Sequence, residues 1–367
     1  MTRRSFLGSA AAVTFVPAAF ATAGGAAGKP AGTGKYFVPE ESQPHLRTFM
    51  QWPVNRTVHP DRFFLQVLQE TIADIANTIV EFEPVAMMMP SEHEPSARRM
   101  LGEAVEIWPI PTDDLWCRDS GPLFVTDGAG NLAVALLNFN GWGDKQVHAN
   151  DGLVAAKVAE RLGLPVIDSG VVGEGGGVET DGEGTLLAHE SSWVNPNRNS
   201  MPKHEIEPRL LDAFGADKMI WAPGIAGADI TDYHIDSLAR FVAPGKVLIQ
   251  LPEAVNPDDP WSAAAFETYD RLRGATDSAG RSLELTVVPE PVGIRVEDDE
   301  FVASYANYYV CNGAVIAAQF GDSETDSEAM RLLKHFYPGR EIVMLDVDPV
   351  GEIGGGIHCA TQQQPSV

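Results

Sequence analysis

Cysteine is scarce: Cys117, Cys311 and Cys359 are the three in 367 residues. That excludes a disulfide scaffold, and an odd count leaves at least one thiol unpaired unless it bonds between chains. No pair of cysteines has metal-ligand spacing. Basic residues are short too, 26 Lys and Arg against 51 Asp and Glu, for a formal net charge of −25. So acidic a chain argues against nucleic acid and anionic membrane surfaces as partners, and suits a small cationic one. Beyond the N-terminal segment, no stretch approaches the roughly 18 apolar residues of a membrane span. After residue 35 no low-complexity break divides the chain.

What is present begins at the N-terminus. MTRRSFLGSAAAVTFVPAAFATAGG carries paired arginines, Arg3 and Arg4, then a mildly apolar run and small-x-small sites at Ala19–Ala21 and Ala21–Ala23. This layout predicts a removable export signal of twin-arginine type over residues 1–23. The expected location is periplasmic or extracellular. GGAAGKPAGTGK, 24–35, reads as a flexible linker, and 36–367 as one domain. Hydrophobic content of 44% is enough for a sizeable core.

Within 36–367, helical and strand patterns alternate. Helices are expected over 62–82, 148–164, 263–275 and 328–337, from apolar residues at helical spacing. Short strands are expected over 85–90, 105–110, 131–139, 246–251, 283–290 and 341–346, and Asn312-Gly313 predicts a hairpin. The class is α/β or α+β. Polar, glycine-containing clusters interrupt the pattern at DDLWCRDSGP (113–122), GEGGG (173–177), DITDYHIDS (229–237), SYANYYVCNG (304–313) and GGGIHC (354–359). They recur every 50–70 residues or so, a period at which repeated structural units are considered.

These clusters hold the residues that can do chemistry. Cys359 follows three glycines and precedes a polar tail, TQQQ. His234 and Asp236 form His-x-Asp, which in a strand would share one face. They could be metal ligands, a base with a carboxylate neighbour, or a surface pair. Glu174 is a carboxylate presented among glycines, without the pattern of a phosphate loop. Taken together, a cysteine nucleophile needs a base or a cation beside it. His234 can move protons near neutral pH. Asp119 and Asp236 could grip a planar guanidinium, whose central carbon would then face the sulfur. Zinc fits this set less well, and a cysteine protease gives no reason for a second aspartate.

The sequence resembles the agmatine deiminase and bacterial peptidyl-arginine deiminase family, within the guanidino-group-modifying pentein superfamily. The resemblance rests on HLRTFMQWP (45–53), DDLWCRDSGPLFV (113–125), NFNGWGDK (138–145), EGGGVETDGEGTLLAHESSWVNPNRN (174–199), DYHIDSLARFVAPGKVLI (232–249), SYANYYVCNGAVIAAQFGD (304–322) and GGGIHCATQQQP (354–365). It implies a five-bladed α/β propeller of ββαβ units around a central funnel. It implies that Cys359 is the nucleophile, His234 the general acid/base and Glu174 the carboxylate that orients it. Asp119 and Asp236 would bind the guanidinium, and Trp116 would line the channel. The implied reaction is hydrolytic deimination through a covalent thiouronium, with neither metal nor organic cofactor.

Two departures stand out. The family commonly has Asn-Gly before the histidine, where this chain has Asp232-Tyr233, and Tyr233 is expected to narrow or re-aim that wall. Cys117 sits inside the Trp-x-Arg-Asp motif and is a candidate disulfide partner for Cys359. The secreted peptidyl type holds its substrate's carboxylate with arginines in the segment after that motif. Here the segment is NFNGWGDKQVH, with no arginine and one lysine. The expected substrate is therefore agmatine or a related guanidino-amine, and the alternative is arginine in a peptide. Amidine transfer and plain guanidine binding are weaker readings.

Overall fold

The computed structural model describes residues 36–367 apart from 297, 299 and 300. The export-type segment 1–23 and the linker 24–35 lie outside the described residues.

Among the described residues the strands form five separate sheets built on one plan. Strand β1 (His45–Gln51) is followed by the helix Arg62–Ile79 and by β2 (Val85–Met88), which pairs parallel with β1; β3 (Glu106–Trp108) then pairs parallel with β2. The next sheet sets β4 (Leu123–Thr126) antiparallel to β5 (Leu132–Leu136), then crosses through the helix Asp151–Leu162 to the parallel β6 (Val166–Asp168). The same antiparallel-then-parallel order holds for β7 (Val178–Thr180), β8 (Thr185–His189) and β9 (Lys218–Ala222), with the helix Lys203–Phe214 as crossover. It holds again for β10 (Ala239–Ala243), β11 (Lys246–Leu251) and β12 (Glu284–Pro289) around the helix Pro260–Arg273. It holds once more for β13 (Tyr309–Val310), β14 (Ala314–Ala318) and β15 (Glu341–Leu345) around Ser323–Phe336. Parallel neighbours need such a crossover, whereas antiparallel ones need only a turn.

The last strand, β16 (Thr361–Pro365), pairs antiparallel with β1, Met50 opposite Thr361. The end of the chain thus completes the sheet that its beginning started. The segment expected to be a polar tail is a buried strand, its glutamines 362–364 held between neighbouring elements.

Local sequence explains most of these elements. The helix Arg62–Ile79 is capped by Asp61, whose carboxylate accepts from the Phe63 and Phe64 amides. It buries Leu65, Leu68, Ile72, Ile75 and Ile79 at three- and four-residue intervals. The middle strand β14, AVIAA, is buried throughout, as a strand covered on both faces must be. The expected helix over 328–337 begins earlier, at Ser323, where Asp322 caps it. The hairpin at Asn312-Gly313 is present, with Val310 opposite Val315.

The five polar clusters occupy equivalent places. Four lie in a connection that leaves the last strand of one sheet for the first strand of the next: β3 to β4, β6 to β7, β9 to β10 and β15 to β16; the fifth, 304–313, begins in the β12-to-β13 connection and runs through β13 into its hairpin turn.

Candidate active site

Four of the five connections, all but β6 to β7, line one cavity of about 170 Å³, whose lining includes Trp116, Asp119, Trp142, His234, Asp236 and Cys359. Asp119 comes from the single-turn helix Cys117–Ser120. Asp236 sits in the single 3-10 turn Ile235–Ser237, and His234 is the residue that caps it. The tight turn, rather than strand alternation, brings both side chains to the cavity. Of the six residues expected at the site, five line this cavity. Glu174 stands behind it, buried, against the imidazole.

Asp119 is held by two donors. Trp142 Nε1 donates to Oδ2 at 2.9 Å, and the Gly176 amide donates to Oδ1 at 3.0 Å. His234 lies between carboxylates, Nε2 donating to Glu174 Oε2 at 3.1 Å and Nδ1 standing 3.6 Å from Asp119 Oδ1. Glu174 is fixed by Arg198 Nε, 2.8 and 2.9 Å from its two oxygens. Arg198 continues to Asp232 at 2.6 Å, and Asp232 also accepts from Lys145 at 2.7 Å.

On the opposite side, the Cys359 thiol points at Asp236 Oδ2, 3.6 Å away, while Asn307 Nδ2 donates to the sulfur at 3.1 Å. The Asn307 carbonyl oxygen also accepts from the His358 amide at 3.0 Å. Asp236 Oδ2 takes a 2.7 Å bond from His358 Nδ1, but Oδ1 is buried with no hydrogen-bond partner. A buried carboxylate oxygen left unpaired is costly, so this atom is set to receive a donor from a ligand.

The approach of the C-terminal segment depends on missing side chains. A Cβ on Gly355 would stand 2.3 Å from the Trp116 ring, and one on Gly356 would stand 2.5 Å from Asn307 Oδ1.

Burial and mutual charge set the protonation. Burial opposes the charge on His234, but Asp119, Glu174 and Asp236 outweigh it and raise the imidazole to about 9. Burial lifts Asp119 to about 6, with His234 pulling the other way. Burial also works against the Asp236 charge, yet its bond to His358 and the nearby cations hold it below the usual carboxylate range. Burial, Asp236 and Asp119 push the Cys359 thiol well up. Without a ligand the sulfur is protonated and the imidazole charged. Among the described residues, no group of three or more His, Cys, Asp or Glu side chains is placed to hold a metal ion.

The family model for Porphyromonas-type peptidyl-arginine deiminase matches residues 37–365. The chain belongs to that family. A Streptomyces coelicolor protein provisionally named agmatine deiminase is 38% identical over 338 residues, covering 89% of this chain and 98% of the relative. The Stutzerimonas stutzeri agmatine deiminase is 34% identical, covering 90% of this chain and 96% of its own. The solved agmatine deiminase of Enterococcus faecalis superposes with a TM-score of 0.83 at 29% identity, covering 90% of this chain and 96% of that one. Members of this deiminase family are hydrolases acting on carbon–nitrogen bonds of amidines.

Two expectations for this deiminase-family chain are corrected. Tyr233 does not line the cavity; its ring stacks on His189 at 4.5 Å and meets Trp261 edge-on at 4.8 Å, inside a separate apolar cluster. Cys117 is not bonded to Cys359: all three thiols are free. The Cys117 side chain packs among Phe49, Phe124 and Val134, whereas Cys359 belongs to a different cluster.

Four residues of this deiminase-family site went unnoticed in the sequence. Trp142 lies in NFNGWGDK, Asn307 in SYANYYVCNG and His358 beside the thiol, so each stood inside a motif already singled out. Arg198 ends a long motif, and only its bond to Glu174 reveals its use.

Proposed function

We propose that this chain hydrolyses a guanidino substrate at Cys359, and that the substrate is agmatine, giving N-carbamoylputrescine and ammonia. The observation that carries the reading is Asp236 Oδ1, the unpaired buried oxygen of a carboxylate lining the same cavity as Cys359 and His234. A guanidinium gripped by Asp236 and Asp119 satisfies that atom and turns its central carbon toward sulfur.

The cation also changes the charge balance. The thiol is held protonated by burial and by two aspartates, and a guanidinium laid against the aspartates offsets their charge and favours the thiolate, so the sulfur can attack. A carbon–sulfur bond forms as one carbon–nitrogen bond breaks. The departing nitrogen takes the thiol proton and the His234 proton and leaves as ammonium. Neutral His234 then removes one proton from water as the oxygen adds to the thiouronium carbon. The second water proton returns to sulfur as the carbon–sulfur bond breaks, and the ureido product leaves. Glu174, itself fixed by Arg198, keeps the imidazole aimed through both steps.

The amine end favours agmatine over an amino acid. Among the described residues, no lysine or arginine lines the cavity, while Asp114 and Asp229 do. Lys145, the single cation of NFNGWGDKQVH, is spent on Asp232 and on the Asp229 and Ile230 carbonyls. A substrate carboxylate at the amine end would meet no lysine or arginine. The reaction would feed putrescine and polyamine metabolism.

We further propose that the five sheets are blades of an α/β propeller of the pentein type, with the cavity at its hub. The five equivalent connections that supply the site support this. Export by residues 1–23 remains part of the proposal, and the N-terminal sequence of protein recovered from the periplasm tests it.

The reaction is tested by following ammonia and ureido formation with agmatine, arginine and a short peptide ending in arginine. Agmatine turnover, absent in Cys359→Ser, is the expected result. Turnover of the peptide instead would overturn the substrate choice. Amidine transfer to an added amine without ammonia would overturn hydrolysis.

A further inference from the structure

His358, the neighbour of the nucleophile, carries a second inference, which rests on the reading above for its kinetic consequences but not for its physical state. Its side chain is 3% exposed and reaches two carboxylates. Nδ1 lies 2.7 Å from Asp236 Oδ2, and Nε2 lies 3.0 Å from Glu41 Oε2. An ionised carboxylate has no hydrogen to give, so each ring nitrogen must bring its own.

Glu41 is ionised for independent reasons. Its Oε2 also takes Arg118 Nη2 at 2.9 Å and faces Arg240 Nη2 at 3.3 Å, and its Oε1 accepts the Val310 amide at 2.9 Å. Arg240 in turn is shared with Glu179 at 2.6 Å. Asp236 faces His358, the Cys359 thiol and the more distant charges of His234 and Arg240. The inner cluster therefore holds three carboxylates, Glu41, Glu179 and Asp236, against two guanidinium groups, Arg118 and Arg240. A charged His358 makes it neutral.

We infer that His358 is a fixed imidazolium that positions Asp236: it holds Oδ2, leaves Oδ1 free for the substrate's guanidinium, and keeps the carboxylate ionised. Glu41 is the anchor behind it, 317 residues away in the chain. Asp236 Oδ2 is committed to His358, while Oδ1 has no partner. A neutral donor could hold the same oxygen but would not keep the charge on it. His358 moves no proton in the reaction; its part is geometric and electrostatic, distinct from that of His234.

The first test needs no turnover. Nitrogen-15 spectra of the ligand-free protein near neutral pH, with His358 assigned through His358→Gln, report the protonation of both ring nitrogens. Both protonated is the expected result; a neutral ring overturns the inference. The second test follows the side-chain carboxyl of Asp236 by carbon-13 spectra as the pH is lowered, in the parent protein and in His358→Gln, which can donate one bond without a charge. Removing a cation beside a carboxylate raises that carboxylate by one unit or more in typical cases, so its titration should move up by about that much, and the KM for agmatine should rise with it. An unmoved Asp236 titration overturns the inference, because loss of packing alone does not shift it. Calorimetric binding of methylguanidinium separates the two readings: binding that weakens in His358→Gln supports this inference even if agmatine is not turned over. Equal binding by both proteins counts against it.

Discussion

Gly176 stands directly beneath Asp119: its amide donates to Asp119 Oδ1 at 3.0 Å, and a Cβ on it would lie 2.8 Å from that same oxygen. The same Cβ would lie 2.8 Å from His234 Nδ1 and 3.0 Å from Asp236 Oδ2. One methyl group would thus touch three of the groups that must close on a guanidinium. Gly176→Ala is expected to lower kcat/KM by about 100-fold or more, the scale of a lost 2–3 kcal/mol in the transition state. The backbone there needs no glycine conformation, but contacts this short with buried groups force a shift, so the melting temperature should fall as well. Steady-state rates beside a thermal melt check both statements.

Tyr233 tests a balance between strain and packing. Its φ is 71°, a left-handed conformation rare for an aromatic residue, and Asp232 before it has φ of 60°. Glycine at 233 would relieve about 1–2 kcal/mol of that strain. It would also delete a buried ring packed on His189 and Trp261, a loss of about 3–5 kcal/mol. Packing wins, and Tyr233→Gly should be less stable by about 2 kcal/mol in urea unfolding. Its agmatine kinetics should stay within a few-fold, since the ring does not reach the cavity.

His234 makes stability depend on pH. Its folded value is raised to about 9 from an ordinary 6.5. The native state therefore holds a proton that the unfolded chain gives up. The stabilisation is fully present below about 6.5 and is lost as pH rises through about 9. Asp119, raised to about 6, works in the same direction between its ordinary value and 6. Unfolding free energies of the parent protein and of His234→Gln, measured at pH 6 and pH 10, should differ most at pH 6. Activity should fall on the alkaline side as His234 loses the proton that ammonia needs.

The Cys117 thiol is buried among apolar side chains, which hold it in its neutral, unreactive form. Thiol titration should find three free cysteines in the unfolded chain without reductant. Cys117→Ala should keep the parent activity and its response to oxidants. A reductant-dependent gain in activity that vanishes in Cys117→Ala would contradict this placement.

Much of the architecture was legible because it follows hydrophobic periodicity. The helix Arg62–Ile79, the strands β2, β5, β11 and β15, and the Asn312-Gly313 hairpin all fall where the apolar pattern and turn chemistry put them. The helix Lys203–Phe214 was not read: it has few apolar residues and carries Pro208 inside. Strand β16 was misread because TQQQP has no apolar alternation; its polar side chains are buried by partners such as Arg118, which donates to Gln363 at 2.9 Å. Cys359, His234, Asp119 and Asp236, which line one cavity, could be picked out by residue type and motif. Their supports could not. Glu41 and Asn307 acquire meaning only when distant connections meet, and no spacing along the chain signals a contact between residues 41 and 358.

In the proposed reaction Cys359 becomes covalently bonded to the substrate's amidine carbon. Mass spectrometry of protein quenched in acid during agmatine turnover, with the peptide containing Cys359 sequenced, reads that bond directly. An amidine adduct is expected on Cys359, absent from Cys359→Ser and longer-lived in His234→Gln, where water is not activated. Full turnover of agmatine by Cys359→Ser, or an adduct confined to Cys117 or Cys311, would contradict it.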